Sequence, residues 1–352
     1  MKPRLFLPVS LVLCLLLSAC GGNNSIAGEV VEATPAALIL QTDEGKRVAV
    51  LLEEDTYVFG MDDIDGNDYK AHPHTGVKVQ FLPTGRAGSL TASDGTEVKA
   101  YHTDHFISIY GYLIPNAATL SDGTVLDAWK TSLFGTTYQL QDGTELLRED
   151  APRGPENLYV GSLESFDDLN EAAKPAVARF YEEQGKLYDL QAELEKAWAE
   201  YQASPETFSS YWVSQDTSPS ASSERVMYFG THLTLPVRQN IVEERSFYAA
   251  FDRETGAYIP LSALFSCPES EIGKNLLGLA EKDGWPDTPE LKQEMVSAFQ
   301  MEYLSFYPDG LCLEFPQGTL PSQEYSCLVS IDFTDDCKAL LQPWAVPYPR
   351  AE

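Results

Sequence analysis

The stretch that decides the fold class is Pro175-Ala176-Val177-Ala178-Arg179-Phe180-Tyr181-Glu182-Glu183-Gln184-Gly185-Lys186-Leu187-Tyr188-Asp189-Leu190-Gln191-Ala192-Glu193-Leu194-Glu195-Lys196-Ala197-Trp198-Ala199-Glu200-Tyr201-Gln202. Val177, Phe180, Tyr181, Leu187, Tyr188, Leu190, Leu194, Trp198 and Tyr201 recur at helical intervals, with Glu and Lys between them. The spacing predicts the longest helix of the chain over roughly 175–202, its aromatic stripe packed on a sheet. Upstream, Ser165 can cap a helix with Asp167 and Asp168 in the first turn, and Pro175 starts a fresh helix or kinks that one. On both sides of this region the apolar period falls to two. A long helix set between strand runs is the pattern of an α+β protein.

On the N-terminal side, residues 26–115 read as five or six short strands. Ala37-Leu38-Ile39-Leu40 and Val48-Ala49-Val50-Leu51 flank Asp43-Glu44-Gly45, a hairpin signal. Val77-Lys78-Val79-Gln80-Phe81 and Phe106-Ile107-Ser108-Ile109-Tyr110 alternate strictly. The strand spacing resembles small OB-like β-barrels. Three Asp-Gly-Thr turns, at Asp94, Asp122 and Asp142, are unequally spaced and so repeat a turn chemistry, not a structural unit. Residues 116–150 are expected to be a β-rich connector, ending at the boundary Ala151-Pro152-Arg153-Gly154-Pro155. The α+β domain then occupies 151–352.

On the C-terminal side, Val226-Met227-Tyr228-Phe229 and Phe247-Tyr248-Ala249-Ala250-Phe251 read as strands. Thr288-Pro289 caps a helix running to Phe299. Strands are expected at Leu304–Tyr307, Leu311–Phe315 and Cys327–Ile331, and a last short helix at Asp335–Leu341. Within this region, Phe251-Asp252-Arg253-Glu254-Thr255-Gly256, followed by Leu261, Leu264 and Phe265, resembles the signature of an uncharacterised extracytoplasmic family. That domain forms the ectodomain of RsiV and accompanies the catalytic domain of PdaC. A second match is Phe306-Tyr307-Pro308-Asp309-Gly310-Leu311 with Phe315-Pro316 and Gly318, and the likeness covers roughly 205–345. At these positions Asp252, Thr255, Gly256, Phe265, Asp309 and Gly310 are expected to be architectural turn and core residues. Two loops depart from the family, Pro236-Val237-Arg238-Gln239-Asn240 and Gln317–Ser322. A partner would be recognised there, so lysozyme binding is not carried over. No transmembrane helix precedes the domain, and the chain is not expected to be an anti-sigma factor.

The N-terminus gives an address. Lys2 and Arg4 precede the apolar stretch Leu5–Leu17, which is too short to span a bilayer comfortably, and Leu17-Ser18-Ala19-Cys20 follows. These four residues resemble the lipobox of bacterial lipoproteins. The resemblance implies that residues 1–19 are a signal peptide, that Cys20 carries the lipid, and that 20–25 form a tether of about 20 Å at full stretch. The chain is 352 residues long, with 24 Lys+Arg against 53 Asp+Glu and a net charge of -29. Losing residues 1–19 removes Lys2 and Arg4 and no acid, so 22 bases would face 53 acids, net -31. Such acidity argues against nucleic-acid binding, which needs clustered Lys and Arg. It favours a cationic extracellular protein, with a cell-wall polymer as the other partner class. A monomer is expected, on the extracytoplasmic face of the cell membrane. Cys267, Cys312, Cys327 and Cys337 remain, as disulfides or as buried thiols, and Cys312 and Cys327 lie in consecutive strands where a cross-hairpin pair is conceivable.

Catalytic motifs are absent from the sequence: no Gly-x-Ser-x-Gly elbow, phosphate loop or His-Glu-x-x-His pair occurs. The acidic run Asp62–Asp68 fails as a calcium loop, because Asp68 and His74 stand where the EF-hand glycine and glutamate belong. Four of five histidines lie in the first region, as His72-x-His74 and His102-x-x-His105, spacings that let two imidazoles reach one ion. The leading expectation is a non-catalytic lipoprotein, without cofactor, that binds an envelope component or extracellular protein through its C-terminal loops. The alternative is a zinc-dependent hydrolase of cell-wall material using those histidines.

Overall fold

The computed structural model describes residues 25–42, 44–61, 64–131, 135–156, 165–238, 241–280, 286 and 288–349. The expected signal peptide (residues 1–19) and Cys20 lie outside the described residues, as do Asp62 and Asp63 of the acidic run. The chain is mixed α+β, with extensive antiparallel sheet and few helices, and divides into two compact units, Met1–Gly143 and Thr144–Glu352. Among the described residues no helix is long and apolar enough to cross a membrane.

In the first unit the strands are β1 (Ile26–Thr34), β2 (Ala37–Thr42), β3 (Arg47–Leu51), β4 (Tyr57–Phe59), β5 (Val77–Thr91), β6 (Glu97–Thr119), β7 (Val125–Thr131) and β8 (Gly135–Gln139). Among the described residues of this unit a single short helix, α1 (Gly66–Ala71), sits between β4 and β5. Antiparallel pairs join β1–β2, β2–β3, β1–β5, β5–β6, β6–β7 and β7–β8. β3 and β4 each pair with β6 in parallel. The period-two alternation turns Val77, Val79, Phe81, Ile107 and Ile109 inward, where they join Val30, Leu38, Leu40 and Val50 in one core. The connector expected over 116–150 contributes β7 and β8 here, while β9 (Glu145–Glu149) belongs to the second unit.

The second unit orders its main sheet β9-β10-β11-β12-β13, with β10 at Tyr211–Ser222, β11 at Val226–Arg238, β12 at Ile241–Asp252 and β13 at Tyr258–Ile259. β9 and β10 run parallel and the rest antiparallel. Val226-Met227-Tyr228-Phe229 is apolar at every position because both faces are covered. Met227, Phe229 and Phe251 pack with Val177 of α2 (Lys174–Gln184). Val226, Tyr228 and Ala250 pack instead with α4 (Glu269–Ala280), α5 (Pro289–Ala298) and a second sheet, β14 (Leu304–Phe306), β15 (Gly310–Phe315) and β16 (Cys327–Asp332). The rings of Tyr228 and Phe306 stack at 4.4 Å in this core, and α6 (Asp335–Leu340) closes the chain's last layer.

The long helix expected over 175–202 is instead two. α2 stops at Gln184 with Gly185 in the left-handed region (φ 63°), and α3 runs Leu190–Ala203 with the Asp189 carboxylate accepting from the Ala192 N–H at 3.2 Å. Tertiary contacts hold the break open. The Gln215 side chain accepts from the Leu187 N–H at 2.8 Å and donates to the Gly185 carbonyl at 3.0 Å, while buried Glu149 accepts from Lys186 and Tyr188. Periodicity alone runs through this point because Leu187 and Tyr188 stay on the apolar stripe.

All four cysteines of the second unit stand as free thiols. The cross-hairpin pair is excluded by register: Cys312 faces Ser330 and Cys327 faces Phe315. Burial pushes all three of Cys312, Cys327 and Cys337 above the ordinary thiol range, Cys337 to about 11.

Candidate functional site

The motif residues of the second unit form turns and core. Asp252 is buried at the β12 end, where its Oδ1 accepts from the Glu254 and Thr255 N–H groups (3.1 and 3.0 Å) and the Thr255 hydroxyl (3.0 Å); its Oδ2 accepts from Arg225 Nε at 2.7 Å. Burial opposes this charge, but the Arg225 guanidinium and the three turn donors outweigh it and hold the carboxyl below its usual range. Gly256 has φ 70°, and a Cβ there would stand 2.4 Å from the Ala173 carbonyl oxygen. Phe265 is buried against Phe306. The Asp309 carbonyl accepts from the Phe333 N–H at 3.1 Å, and Gly310 lies so close to β16 that a Cβ would stand 2.5 Å from the Ile331 carbonyl oxygen.

The histidines of the first unit are not gathered. Exposed His72 terminates α1, and His74 keeps its Nδ1 at 2.9 Å from the Thr75 carbonyl with its ring edge-on to Tyr69. His102 and His105 instead meet two different carboxylates on the β3–β4 loop, His102 Nδ1 to Glu53 Oε1 at 3.0 Å and His105 Nδ1 to Asp55 Oδ2 at 2.8 Å. Among the described residues no group of three or more His, Cys, Asp or Glu is placed to hold a metal ion. Asp65, from the acidic run, spends its side chain capping α1 through the Asn67 and Asp68 N–H groups.

The histidine–carboxylate pairs lead into an aromatic strip that the sequence reading missed. Midway along β6 the buried Thr103 hydroxyl donates to the Phe106 carbonyl at 2.7 Å, folding the strand over His105, whose φ of 78° is rare for a side-chain-bearing residue. The fold turns Phe106 outward beside Tyr57, its register partner on β4. Period two then sends Val58 into the core and leaves Tyr57, Phe59 and Phe106 on the surface, Tyr57 and Phe106 each 48% exposed. Phe59 and Phe106 stack at 5.5 Å, and Tyr57 stands edge-on to Phe59 at 4.8 Å. A cleft of about 450 Å³, lined by Tyr57, Phe59, Met61 and Asn67 among others, opens alongside. The signal was in the sequence as aromatic-x-aromatic in a short strand, but only register brings Phe106 to it.

A second surface lies at the end of the β11–β12 hairpin. Ile241 and Val242 are exposed there with Trp212 of β10 (43% exposed), around a cleft of about 160 Å³ that Tyr211, Pro236 and Arg238 also line, and Val237 is exposed at the end of β11. Lys196 of α3 donates to the Pro236 carbonyl and fixes the strand end. This is the loop zone at which the chain departs from the family pattern; Gln239 and Asn240 fall outside the described residues.

A third grouping also escaped the sequence reading. Asp216, His232 and Ser246 are successive register partners across β10, β11 and β12. These are the residue types of an acyl-transfer relay, but His232 presents Nδ1, not Nε2, to the Ser246 hydroxyl at 3.2 Å, and Nε2 lies towards Gly230. Burial raises the Asp216 carboxyl, opposed by Arg153 and His232.

No family pattern matches the chain, and no curated protein matches it. Two crystal structures are similar in part. One is a DUF3298 family protein from Pseudomonas aeruginosa PAO1, 10% identical, covering 68% of this chain and 95% of that one with a TM-score of 0.34. The other is a member of the DUF3298 family from Bacteroides fragilis NCTC 9343, 12% identical, covering 66% of this chain and 92% of that one, also with a TM-score of 0.34.

Proposed function

We propose that this chain is a non-catalytic binding module of the bacterial cell envelope, held on the extracytoplasmic face of the membrane by lipid on Cys20. It recognises an extracellular protein or envelope component through the second unit. The observation that carries the reading is the apolar hairpin end: Trp212, Ile241 and Val242 are exposed around one cleft, and Val237 is exposed at the neighbouring end of β11. Contiguous exposed apolar surface rimmed by polar groups is the mark of a partner site. Arg238 lines the cleft, and farther along β12 Glu243 and Arg245 form an ion pair at 2.9 Å.

In this reading the first unit is a small OB-like barrel. The pairing of β5 with both β1 and β6, and of β6 with β3, supports it. The second unit is read as a relative of the RsiV ectodomain, on the motif residues at Asp252–Gly256 and Phe306–Gly310. Nothing in the described geometry favours the zinc hydrolase, since His74, His102 and His105 each meet a separate partner and no group of three ligands is gathered among the described residues.

Capture experiments with the full mature chain test the proposal. Wild type should retain an envelope protein or polymer that Val237→Glu/Ile241→Glu does not; equal capture by both, or by neither, overturns it. Mass spectrometry of the native product tests the anchor, for which a diacylglyceryl group on Cys20 is expected. An unacylated chain beginning at Met1 overturns that part. Stoichiometric zinc that disappears in His102→Ala would restore the hydrolase.

A further inference from the structure

The aromatic strip of the first unit is separate from the hairpin end and carries an inference of its own. Exposed large rings are costly to display, and here two are set on one side of β4 by the strand period and a third is brought beside them by register. Phe59 and Phe106 lie within 29° of parallel at 5.5 Å and Tyr57 stands edge-on to both, so the strip offers a ring-lined apolar surface to the C–H face of a ligand. Hydrogen-bonding groups line its upstream end in order: Glu53 with His102, then Asp55 with His105, all four exposed enough to reach solvent. Along β4, Tyr57 to Phe59 spans about 7 Å at roughly 3.3 Å per extended residue, with the Glu53–Thr56 turn at its upstream end. The strip continues into the cleft of about 450 Å³ that Tyr57 and Phe59 also line, a volume in the range of small-ligand sites.

The chemistry selects among ligands. Carboxylates beside the rings, on a chain of net charge -29, repel anionic polymers. A peptide adding as an extra strand finds no open edge on β4. A Cβ on Gly66 would stand 1.9 Å from the Val58 carbonyl oxygen, so the start of α1 already abuts that edge. The rings and carboxylates together suit a ligand with C–H faces for the rings and several O–H or N–H donors for the carboxylates. We propose that Tyr57, Phe59 and Phe106, with Asp55 and Glu53, form a subsite for a neutral β-linked pyranose chain. The sugar's apolar face stacks on the rings, and its hydroxyl or acetamido donors reach the carboxylate oxygens.

Isothermal titration of the full mature chain with two probes, the β-1,4-linked hexamers of glucose and of N-acetylglucosamine, tests this. Saturable binding of at least one hexamer is expected. It should weaken about tenfold or more in Tyr57→Ala and in Phe106→Ala, survive in Tyr57→Phe, and be unchanged in Val237→Glu/Ile241→Glu on the second unit. Binding of neither hexamer overturns the proposal. So does equal binding by the alanine variants, or tighter binding of a proline-rich decapeptide than of either sugar. Each variant's unfolding midpoint is measured alongside. Should Phe106→Ala lose its fold, Tyr57→Ala carries the test, because that ring lies outside the core. The hairpin variant separates failure here from failure of the partner site in the second unit.

Discussion

Asp252 and Asp55 are both aspartates at the edge of a strand, and they do opposite things. The Asp252 side chain is 10% exposed and fully occupied by four donors within 3.1 Å, whereas that of Asp55 is 64% exposed with a single imidazole partner. The same contrast holds for the units around them. In the second, the residues that stand out as motif are consumed by turns and close strand contacts. In the first, the residues left facing solvent carry no motif at all. Recognisable sequence patterns here mark geometry that the backbone needs, while the surfaces with unspent binding capacity are composed of ordinary rings and acids brought together by register.

Breaking the comparison at its most buried point should give the largest effect. Phe251 is wholly buried and touches the rings of Phe180, Tyr181, Phe229 and Tyr258. Phe251→Ala should lower the unfolding free energy by about 3–5 kcal/mol in urea titration, from lost transfer energy and the cavity left behind. A loss below about 1 kcal/mol would show that the α2 layer can collapse onto the gap. Next comes Asp252→Ala, expected to cost about 2–4 kcal/mol, since it strands the turn donors and the Arg225 contact. The folded-state carboxyl is held below its usual range, so its stabilisation is present above the unfolded value of about 3.9 and is lost as pH falls through the folded value. The stability difference between wild type and Asp252→Ala should therefore shrink only below about pH 4. A difference that shrinks instead between pH 6 and 8 would mean another group is responsible.

The smallest effect belongs to the exposed side of the comparison. His105→Gly exchanges an exposed ion pair for relief of a left-handed backbone, two contributions of about 1 kcal/mol or less that oppose each other. Thermal melting should show a change within about 1 kcal/mol, on the stabilising side. A clear loss would assign His105 a structural task in the β6 fold beyond its contact with Asp55.

Much of the architecture could be read in advance because it rests on local patterns. Strict alternation placed β5 and the core stretch of β6, Thr288-Pro289 marked the start of α5, and the Asp-x-x-Thr-Gly turn read as architecture. The helix break at Gly185 was written in the sequence too, as a glycine followed four residues later by the cap residue Asp189. It was hidden by apolar residues that kept the helical period across it. What no local pattern contains is the pairing of distant segments. Glu53 with His102, Asp55 with His105 and Tyr57 with Phe106 are each separated by about fifty residues, and the parallel β4–β6 register alone makes them neighbours. The same is true of Trp212 and the β11–β12 end.

Composition and periodicity thus determined the α+β class, the acidic surface that disfavours polyanions and the identity of the turn residues, because each depends on side chains within a few positions of one another. Tertiary structure alone decided that His102 and His105 answer to carboxylates and not to each other, that the thiols stay apart, and that three rings share a face. Those outcomes depend on register, in which a shift of one residue sends every side chain to the opposite side of the sheet.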